Sequence, residues 1–260
     1  MRLWQGILLG LVQGLTEFLP VSSSGHLVVV EALTGVKTPG VFVEVVLHVA
    51  TLGSVFVVYG RRLWNIVLGV AARRPDDLRY AGLLIVATIP GGALGWLLHD
   101  TVERVFHTLV LVGMGFLVTG IVLWSTRHRS GDRVRPTAGG ALLIGAAQAI
   151  AILPGVSRSG STVSAALWSG LAVTEAAEFS FLMAVPIIAG AAVKDALHAG
   201  IDIAAIGVVP LAAGFVVAFA SGIWSIRFLV ALLRRGRFYV FAPYCWAAGV
   251  LTLVYARWLA

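Results

Sequence analysis

The chain has 260 residues, of which 59% are hydrophobic and only 12% are charged. Such a sequence has too few polar residues to cover a soluble globule of this length, so the composition predicts a protein embedded in a lipid bilayer. The net charge of +7 does not indicate nucleic acid as a partner, because the arginines lie in short segments between apolar runs and not on one amphipathic face. The single cysteine, Cys245, excludes an intrachain disulfide and a multi-cysteine metal site.

The first segment, residues 3–34, is apolar but is divided near its middle by Pro20 and a run of serine and glycine. Each part is too short to cross about 30 Å of hydrocarbon, so the segment predicts a re-entrant helical hairpin. Its start resembles a signal peptide, yet Gln13 and Glu17 interrupt the apolar run and no small-residue cleavage site follows. We therefore expect this segment to be retained.

Six later runs are long enough, or nearly so, to cross the bilayer as helices, and a second divided segment, 138–173, lies between the third and the fourth. The predicted spans are 42–59, 80–98, 108–125, 179–199, 204–226 and 239–258. The expected fold is an all-α integral membrane protein with six spanning helices and two re-entrant hairpins, 3–34 and 138–173.

The distribution of basic residues predicts the orientation. If each hairpin returns to its own side, thirteen of the 19 Lys and Arg residues fall in three loops on one side, 60–79, 126–137 and 227–238. The opposite side has only Arg2, Lys37, Arg104, Lys194 and Arg257. By the positive-inside rule the arginine-rich side is cytoplasmic, and both termini lie outside.

The two divided segments are copies of one pattern. Gln13 and the run Val21–Gly25 match Gln148 and the run Val156–Gly160 at a constant offset of 135, with Val-Ser-x-Ser-Gly in both. This internal duplication predicts two repeat halves within a single membrane domain, roughly 1–125 and 138–260. The orientation inverts one half relative to the other, so the hairpin tips can meet near the middle of the membrane.

The tips carry the chemistry. A helix starts in each serine- and glycine-rich run, so free backbone N–H groups, the positive end of a helix and several hydroxyls point at one place, which favours anion binding. Arg158 adds a charged planar fork suited to phosphate oxygens, the alternative being a purely structural ion pair with Glu17.

The first hairpin adds candidates for acid, base and nucleophile. Gln13 and Glu17 lie four residues apart on one helical face, and an acidic residue inside a bilayer usually marks function, although a protonated Glu17 bonded to backbone is an alternative. His26 follows Ser23 by three residues, so it could act on the serine hydroxyl or attack phosphorus itself. A buried histidine without a chemical role is the other interpretation.

Glu44 and His48 are also four residues apart, on the first predicted span. Two residues are too few to indicate a metal site, and packing with a local hydrogen bond is favoured over lining the cavity.

The motif from Gln13 to His26 and the motif from Pro154 to Thr162 together resemble the two signature motifs of the undecaprenyl-diphosphate phosphatases, also called bacitracin-resistance proteins. The resemblance runs from about residue 5 to residue 255. It implies an integral membrane phosphatase that removes the terminal phosphate of a polyprenyl diphosphate and so regenerates the carrier lipid of cell-wall assembly. By position, the family's essential residues match Glu17, Ser23, His26 and Arg158.

The resemblance also implies a dependence on a divalent cation, Mg²⁺ or Ca²⁺. Gln13 stands where many members of the family have glutamate, so any metal role in this chain would fall on Glu17. The other tip residues are expected to bind the substrate: Gln13, Ser22, Ser24, Gly25, Ser157, Ser159, Gly160, Ser161 and Thr162.

The expected reaction is attack on the terminal phosphorus by Ser23 or His26, with Glu17 assisting and Arg158 stabilising the developing charge. A transporter or flippase for a polyprenyl phosphate is the main alternative, because broken helices and a mid-membrane anion site are typical of transporters too. The expected partners are the lipid substrate and the surrounding plasma-membrane lipid, with a homodimer as one candidate assembly. The active site is expected to open to the outer face.

Overall fold

The computed structural model describes residues 1–35, 42–98, 101, 105, 108–129, 131–198 and 207–259, except for the side chains of 194–198 and 259. The described residues are mainly helical and form no β-strand. The helices are α1 (Leu3–Phe18), α2 (Ser23–Thr34), α3 (Phe42–Ala71), α4 (Pro75–Leu97), α5 (Leu109–Trp124), α6 (Ala138–Ile150), α7 (Arg158–Trp168), α8 (Val173–His198), α9 (Val208–Arg234), a 3₁₀-helix (Phe238–Phe241) and α10 (Ala242–Leu259).

Among the described residues, five helical segments are long and apolar enough to cross a membrane. They are α3, α4, Val173–Val193 in α8, α9, and Phe238–Trp258, which joins the 3₁₀-helix to α10. The chain is therefore a multi-pass membrane protein. The remaining predicted span, 108–125, the third in chain order, is the 16-residue α5, which is shorter than these five and extends over about 24 Å.

Two predicted loops are wrong over most of their length. The segment 60–79 is largely helical because α3 continues to Ala71 and α4 starts at Pro75, and the segment 227–238 is helical as far as Arg234. Hydropathy marks where the apolar run ends and not where the helix ends. Arginine favours helix, so a helix can continue beyond the hydrocarbon into the polar region.

Both divided segments are pairs of short helices. α1 packs against α2, and α6 packs against α7. Each second helix starts at a serine cap: Ser22 Oγ accepts a hydrogen bond from the Gly25 N–H at 3.4 Å, and Ser157 Oγ accepts one from the Gly160 N–H at 3.0 Å. Such a cap satisfies one of the N–H groups that a helix start leaves unpaired.

The first arm of each pair is fixed against a long helix from the other half of the chain, α1 along α9 and α6 along α4. Where α1 crosses α9, a Cβ on Gly10 would overlap the Gly214 carbonyl. Small residues allow two helices to approach at backbone distance. This contact fixes α1, whose last turns contain Gln13 and Glu17.

A buried aromatic cluster holds the end of α1 against α8. The Phe18 ring packs edge-to-face on Phe181 with 5.5 Å between ring centroids, and both side chains are fully buried. Edge-to-face pairs of this kind add stability beyond the apolar area that they bury. The residue that follows Glu17 is thus part of the core, which limits the positions that the carboxylate can adopt.

Part of the predicted topology falls outside the described residues. This applies to Lys37 and Arg104, to the side chain of Lys194, and to residues 204–206 at the start of the fifth predicted span.

Candidate active site

The two non-helical segments that interrupt the hairpins, 19–22 between α1 and α2 and 151–157 between α6 and α7, lie against each other. We call them the first and the second chain break. Ser159 Oγ, after the second break, donates a hydrogen bond to the Leu19 carbonyl of the first at 3.2 Å. Arg158 Nη2 donates to Glu17 Oε1, a salt bridge between residues 141 positions apart in the sequence. Both serine-capped helix starts therefore lie in one place, as the duplicated pattern predicts.

A cavity of about 330 Å³ lies where the breaks meet. Its polar wall comes from both breaks, the end of α1 and the start of α3, and it consists of Thr16, Glu17, Ser22, Ser23, Ser24, Glu44, His48, Ser157 and Arg158. Its apolar wall comes mainly from α8 and from the residues around the second break, and it consists of Leu27, Val45, Ala151, Ile152, Val156, Ile187, Ile188, Ala191 and Ala192. The cavity can hold a polar group next to an apolar one.

The Glu17 carboxylate is the centre of the polar wall and is buried, with 7% of its surface exposed. Its Oε2 accepts hydrogen bonds from Ser23 Oγ at 2.6 Å and from Gln13 Nε2 at 3.1 Å. His48 Nε2 lies 3.7 Å from the same oxygen. These donors and the Arg158 salt bridge stabilise a negative charge on Glu17, in contrast to the protonated alternative.

The two terminal nitrogens of the Arg158 guanidinium have different surroundings. Nη2 forms the ion pair with Glu17, as the structural alternative proposed, but the buried Nη1 has no hydrogen-bond partner among the described residues. A buried guanidinium nitrogen without a partner is costly. Because Arg158 lines the cavity, an anion entering the cavity could supply the missing acceptor.

Ser22 has a backbone conformation that is rare for serine, with φ of +69° and ψ of 103°. Residues other than glycine occupy positive φ at an energetic cost, and such residues cluster at functional sites. Ser22 precedes Ser23, whose hydroxyl lies against the Glu17 carboxylate. The strained residue therefore helps to aim the candidate nucleophile.

His26 does not line the cavity, which differs from the expectation that it acts on Ser23. Its Nδ1 lies 2.7 Å from the Ser22 carbonyl oxygen, and its Nε2 lies 2.7 Å from the Tyr244 hydroxyl on α10. The Ser23 hydroxyl bonds Glu17 instead. The ring is turned towards α10 by the contact with Tyr244, which the local sequence does not contain.

His48 and Glu44 both line the cavity, where the sequence favoured packing. His48 Nδ1 lies 2.8 Å from the Glu44 carbonyl oxygen, so Nδ1 carries the hydrogen and Nε2 faces Glu17. The available signal was the pair of polar side chains one turn apart on an apolar span. Two such residues cannot show which face of the helix meets the hairpins.

The remaining predicted substrate-binding residues divide into two groups. Ser22, Ser24 and Ser157 line the cavity, whereas Gly25 lies under the Phe116 ring. Ser159, Gly160, Ser161 and Thr162 are buried in α7 outside the cavity wall, and the Thr162 hydroxyl lies 2.6 Å from that of Ser180 on α8. Gln13 is fully buried behind Glu17.

The described residues do not by themselves form a site for a divalent cation. No three His, Cys, Asp or Glu side chains among them come together as metal ligands. The oxygens of Glu17 already accept hydrogen bonds from Arg158, Ser23 and Gln13. Mg²⁺ sites use one or two carboxylates together with water and substrate phosphates, and Glu17, whose oxygens are already bonded, would supply one protein ligand of such a shell.

The fold and site define the class: a multi-pass helical membrane protein with a polar, arginine-containing cavity between two broken helical segments. Residues 6–251 match the model of the family described as Bacitracin resistance protein BacA. The chain belongs to this family.

Similar proteins named undecaprenyl-diphosphatase cover almost the whole chain. The protein from Desulforapulum autotrophicum is 37% identical over 98% of this chain and 98% of its own length. Those from Desulfosudis oleivorans and Syntrophotalea carbinolica are 41% and 42% identical, each over 96% of this chain and 97% of its own length.

Proposed function

We propose that this chain is a membrane phosphatase that hydrolyses undecaprenyl diphosphate, or a similar polyprenyl diphosphate, to the monophosphate and inorganic phosphate. This reaction regenerates the carrier lipid of cell-wall assembly. One observation carries the proposal: the Ser23 hydroxyl lies 2.6 Å from the buried Glu17 carboxylate, in the same cavity as Arg158. The family membership and the names of the relatives support it.

Ser23 is the proposed nucleophile. Its Oγ attacks the terminal phosphorus, its proton passes to Glu17, and the bond from phosphorus to the bridging oxygen breaks, so the polyprenyl phosphate leaves with that oxygen. Water then attacks the phosphoserine and releases inorganic phosphate, with Glu17 returning the proton to Ser23. His26 is less suited to attack because it does not line the cavity and both of its ring nitrogens already have partners, the Ser22 carbonyl and the Tyr244 hydroxyl.

Arg158 and the two helix starts are proposed to hold the transferred phosphoryl group. Nη1 of Arg158 lacks a partner among the described residues, and the first N–H groups of α2 and α7 lie next to the capping serines at the cavity. Preorganised donors around the equatorial oxygens stabilise the charge that develops in phosphoryl transfer. The diphosphate is thus bound between two helix N-termini and a fixed cation.

The polyprenyl tail is proposed to lie along the apolar wall and leave the cavity sideways into lipid. Gly92 and Gly95 on α4 provide an exit, because a Cβ on either would meet only the tip of an isoleucine that lines the cavity, Ile187 at 3.8 Å or Ile152 at 3.9 Å. A Gly92→Leu enzyme should therefore turn over undecaprenyl diphosphate more slowly than wild type while keeping its rate on farnesyl diphosphate. Equal slowing of both substrates would refute this exit.

The test of the proposed function is phosphate release from undecaprenyl diphosphate by the purified protein in detergent. Rapid quenching in acid should leave phosphate on Ser23, since phosphoserine survives acid and phosphohistidine does not. An adduct on His26 that acid destroys would contradict the assignment of Ser23.

A chelator tests the divalent cation that the resemblance implies. Activity that a chelator abolishes and Mg²⁺ or Ca²⁺ restores would establish the cation, whereas activity that resists chelation would contradict a need for it.

A transporter for a polyprenyl phosphate is not favoured. A carrier needs the positive groups that bind phosphate, but it does not need a serine hydroxyl held on a buried carboxylate. Binding of undecaprenyl phosphate without phosphate release from the diphosphate would reverse this choice. The homodimer stays a prediction.

We further propose the inverted topology: repeat halves 1–125 and 138–260, re-entrant hairpins, arginine-rich ends in the cytoplasm, and both termini and the cavity mouth towards the outer face. The reciprocal packing of α1 on α9 and of α6 on α4 supports two related halves. The arginine count supports the orientation.

Thiol labelling of intact cells tests the topology. In a Cys245→Ala background, Arg129→Cys and Arg235→Cys should resist a membrane-impermeant reagent, whereas a cysteine added at either terminus should react. The reverse pattern would invert the orientation. Labelling of all four positions would show dual topology or hairpins that span the membrane.

A further inference from the structure

His26 is held as a bridge between α2 and α10. Its ring lies parallel to the Tyr244 ring, with an interplanar angle of 5° and 5.7 Å between centroids, and edge-on to Phe116 of α5 at 4.9 Å. In the same turn of α10, the Cys245 thiol lies 3.6 Å from the Pro20 carbonyl oxygen. The start of α10 therefore contacts the first turn of α2 through Tyr244 and the first chain break through Cys245.

The hydrogen bonds of His26 define its tautomer. The Ser22 carbonyl oxygen can only accept, so the Nδ1 that lies 2.7 Å from it carries the hydrogen. In the neutral ring Nε2 is then an acceptor, and the Tyr244 hydroxyl at 2.7 Å donates to it. The Ser22 carbonyl thus sets the tautomer, and the Tyr244 hydroxyl, which can donate or accept, holds the other end of the ring.

The carbonyl that His26 holds belongs to the strained residue. Ser22 has φ of +69°, and its carbonyl is part of the peptide plane that it shares with Ser23. While His26 holds the carbonyl oxygen, this peptide plane cannot rotate. The positions of the Ser23 Cα and Cβ are therefore set. Ser23 Oγ then lies 2.6 Å from Glu17 Oε2.

We infer that Tyr244 is a positioning residue of the proposed phosphatase: its hydroxyl and ring hold the His26 imidazole in place, and His26 holds the Ser22 carbonyl so that the Ser23 hydroxyl faces Glu17. Neither Tyr244 nor His26 lines the cavity, so both act through Ser22. The inference rests on the proposed function for its effect on turnover, but the hydrogen bond between Tyr244 and His26 can be measured without turnover.

The kinetic test uses Tyr244→Phe with Tyr255→Phe as the matched control. Tyr255 lies on the same helix, and its hydroxyl also reaches α2, at 3.3 Å from the Ala32 carbonyl oxygen, but it does not contact His26. Loss of one hydrogen bond from Tyr244 should lower kcat about threefold to tenfold with KM and Tm unchanged. Tyr255→Phe should match wild type. A wild-type kcat for Tyr244→Phe, or a rise in KM alone, would overturn the inference.

A double-mutant cycle tests the route through His26. The amide of His26→Asn can still donate to the Ser22 carbonyl, so this variant should keep measurable turnover, and adding Tyr244→Phe should reduce it no further. If the two effects multiply, Tyr244 acts by another route. If His26→Asn abolishes turnover while Tm is retained, His26 takes part in the chemistry itself and the inference is wrong.

Nitrogen NMR of histidine-labelled protein detects the hydrogen bond at Nε2 directly, with the His26 signal assigned by its loss in His26→Asn. Wild type and Tyr255→Phe should show Nδ1–H with a hydrogen-bonded Nε2, and Tyr244→Phe should show an Nε2 resonance shifted towards that of an imidazole nitrogen without a partner. An unchanged Nε2 resonance in Tyr244→Phe would overturn the inference. Absence of phosphatase activity in the wild-type protein would instead refute the proposed function, and the NMR result would still decide the role of Tyr244 at His26.

Discussion

The two chain breaks share one arrangement of capping serines but differ in the side chain between them. Ser22 and Ser157 each cap the helix that follows, and each lies 3.3 Å from the hydroxyl two residues on, Ser24 or Ser159. Between these serines the first break has Ser23 and the second has Arg158. One copy of the duplicated pattern thus supplies the proposed nucleophile and the other supplies the cation.

The breaks also differ in where the backbone is strained and in what holds it. The first has its positive φ at Ser22, directly before Ser23, and the His26 ring bonds its carbonyl. The second has its positive φ at Gly155, where glycine adopts it without strain. There, Thr119 Oγ1 of α5 donates to the Gly155 carbonyl at 3.1 Å and accepts from the Ser157 N–H at 3.0 Å. Strain therefore occurs beside Ser23, the proposed nucleophile, and is avoided beside Arg158, the proposed phosphate-binding cation.

Replacing the nucleophile should have the largest effect. Ser23→Ala should lower turnover on the order of 10⁴-fold or more, because no second hydroxyl among the described residues lies on the Glu17 carboxylate. Phosphate release from undecaprenyl diphosphate is the measurement, and Ser125→Ala, at the exposed end of α5, is the control. A loss of less than tenfold would mean that water or His26 attacks.

Replacing Arg158, the residue at the matching position of the second break, should lower turnover less than replacing Ser23. Arg158→Ala should lower kcat on the order of 10³-fold, because a fixed cation stabilises the transferred phosphoryl group. Arg158→Lys should recover only part of the loss, since lysine cannot bond Glu17 and phosphate through one planar fork. Turnover of Arg158→Ala within threefold of wild type would remove Arg158 from the site.

The smallest expected effect is on stability, and it compares the two positions with positive φ, Ser22 and Gly155. Gly155→Ala should destabilise the protein by at least about 2 kcal/mol, because alanine disfavours its φ of +82° and the added Cβ would overlap the Val112 carbonyl. Ser22→Gly should change stability by less than about 1 kcal/mol, since relief of strain offsets the lost cap.

Thermal unfolding in detergent measures both changes, with Gly139→Ala as the control on the same hairpin, where a Cβ meets no atom within 4 Å. Equal shifts for Gly155→Ala and Ser22→Gly would show that the breaks do not differ in strain.

The sequence by itself determined what depends on composition and on neighbouring residues. It predicted the membrane, five of the spanning helices, the two chain breaks with a helix starting in each serine- and glycine-rich run, and the family, because hydropathy, proline and helix-start signals act over a few residues. It also indicated Glu17, Ser23 and Arg158 as residues that could meet, from the duplication and the orientation that the basic residues predict.

Only the tertiary structure decided how those parts face one another. Contacts across the chain set the Glu17–Arg158 ion pair, the turn of His26 towards Tyr244, and the entry of Glu44 and His48 into the cavity. The ends of α3 and α9 were missed because a helix continues past its apolar run. A side chain on a known helical face still chooses among neighbours from distant segments, and that choice depends on packing that no local pattern contains.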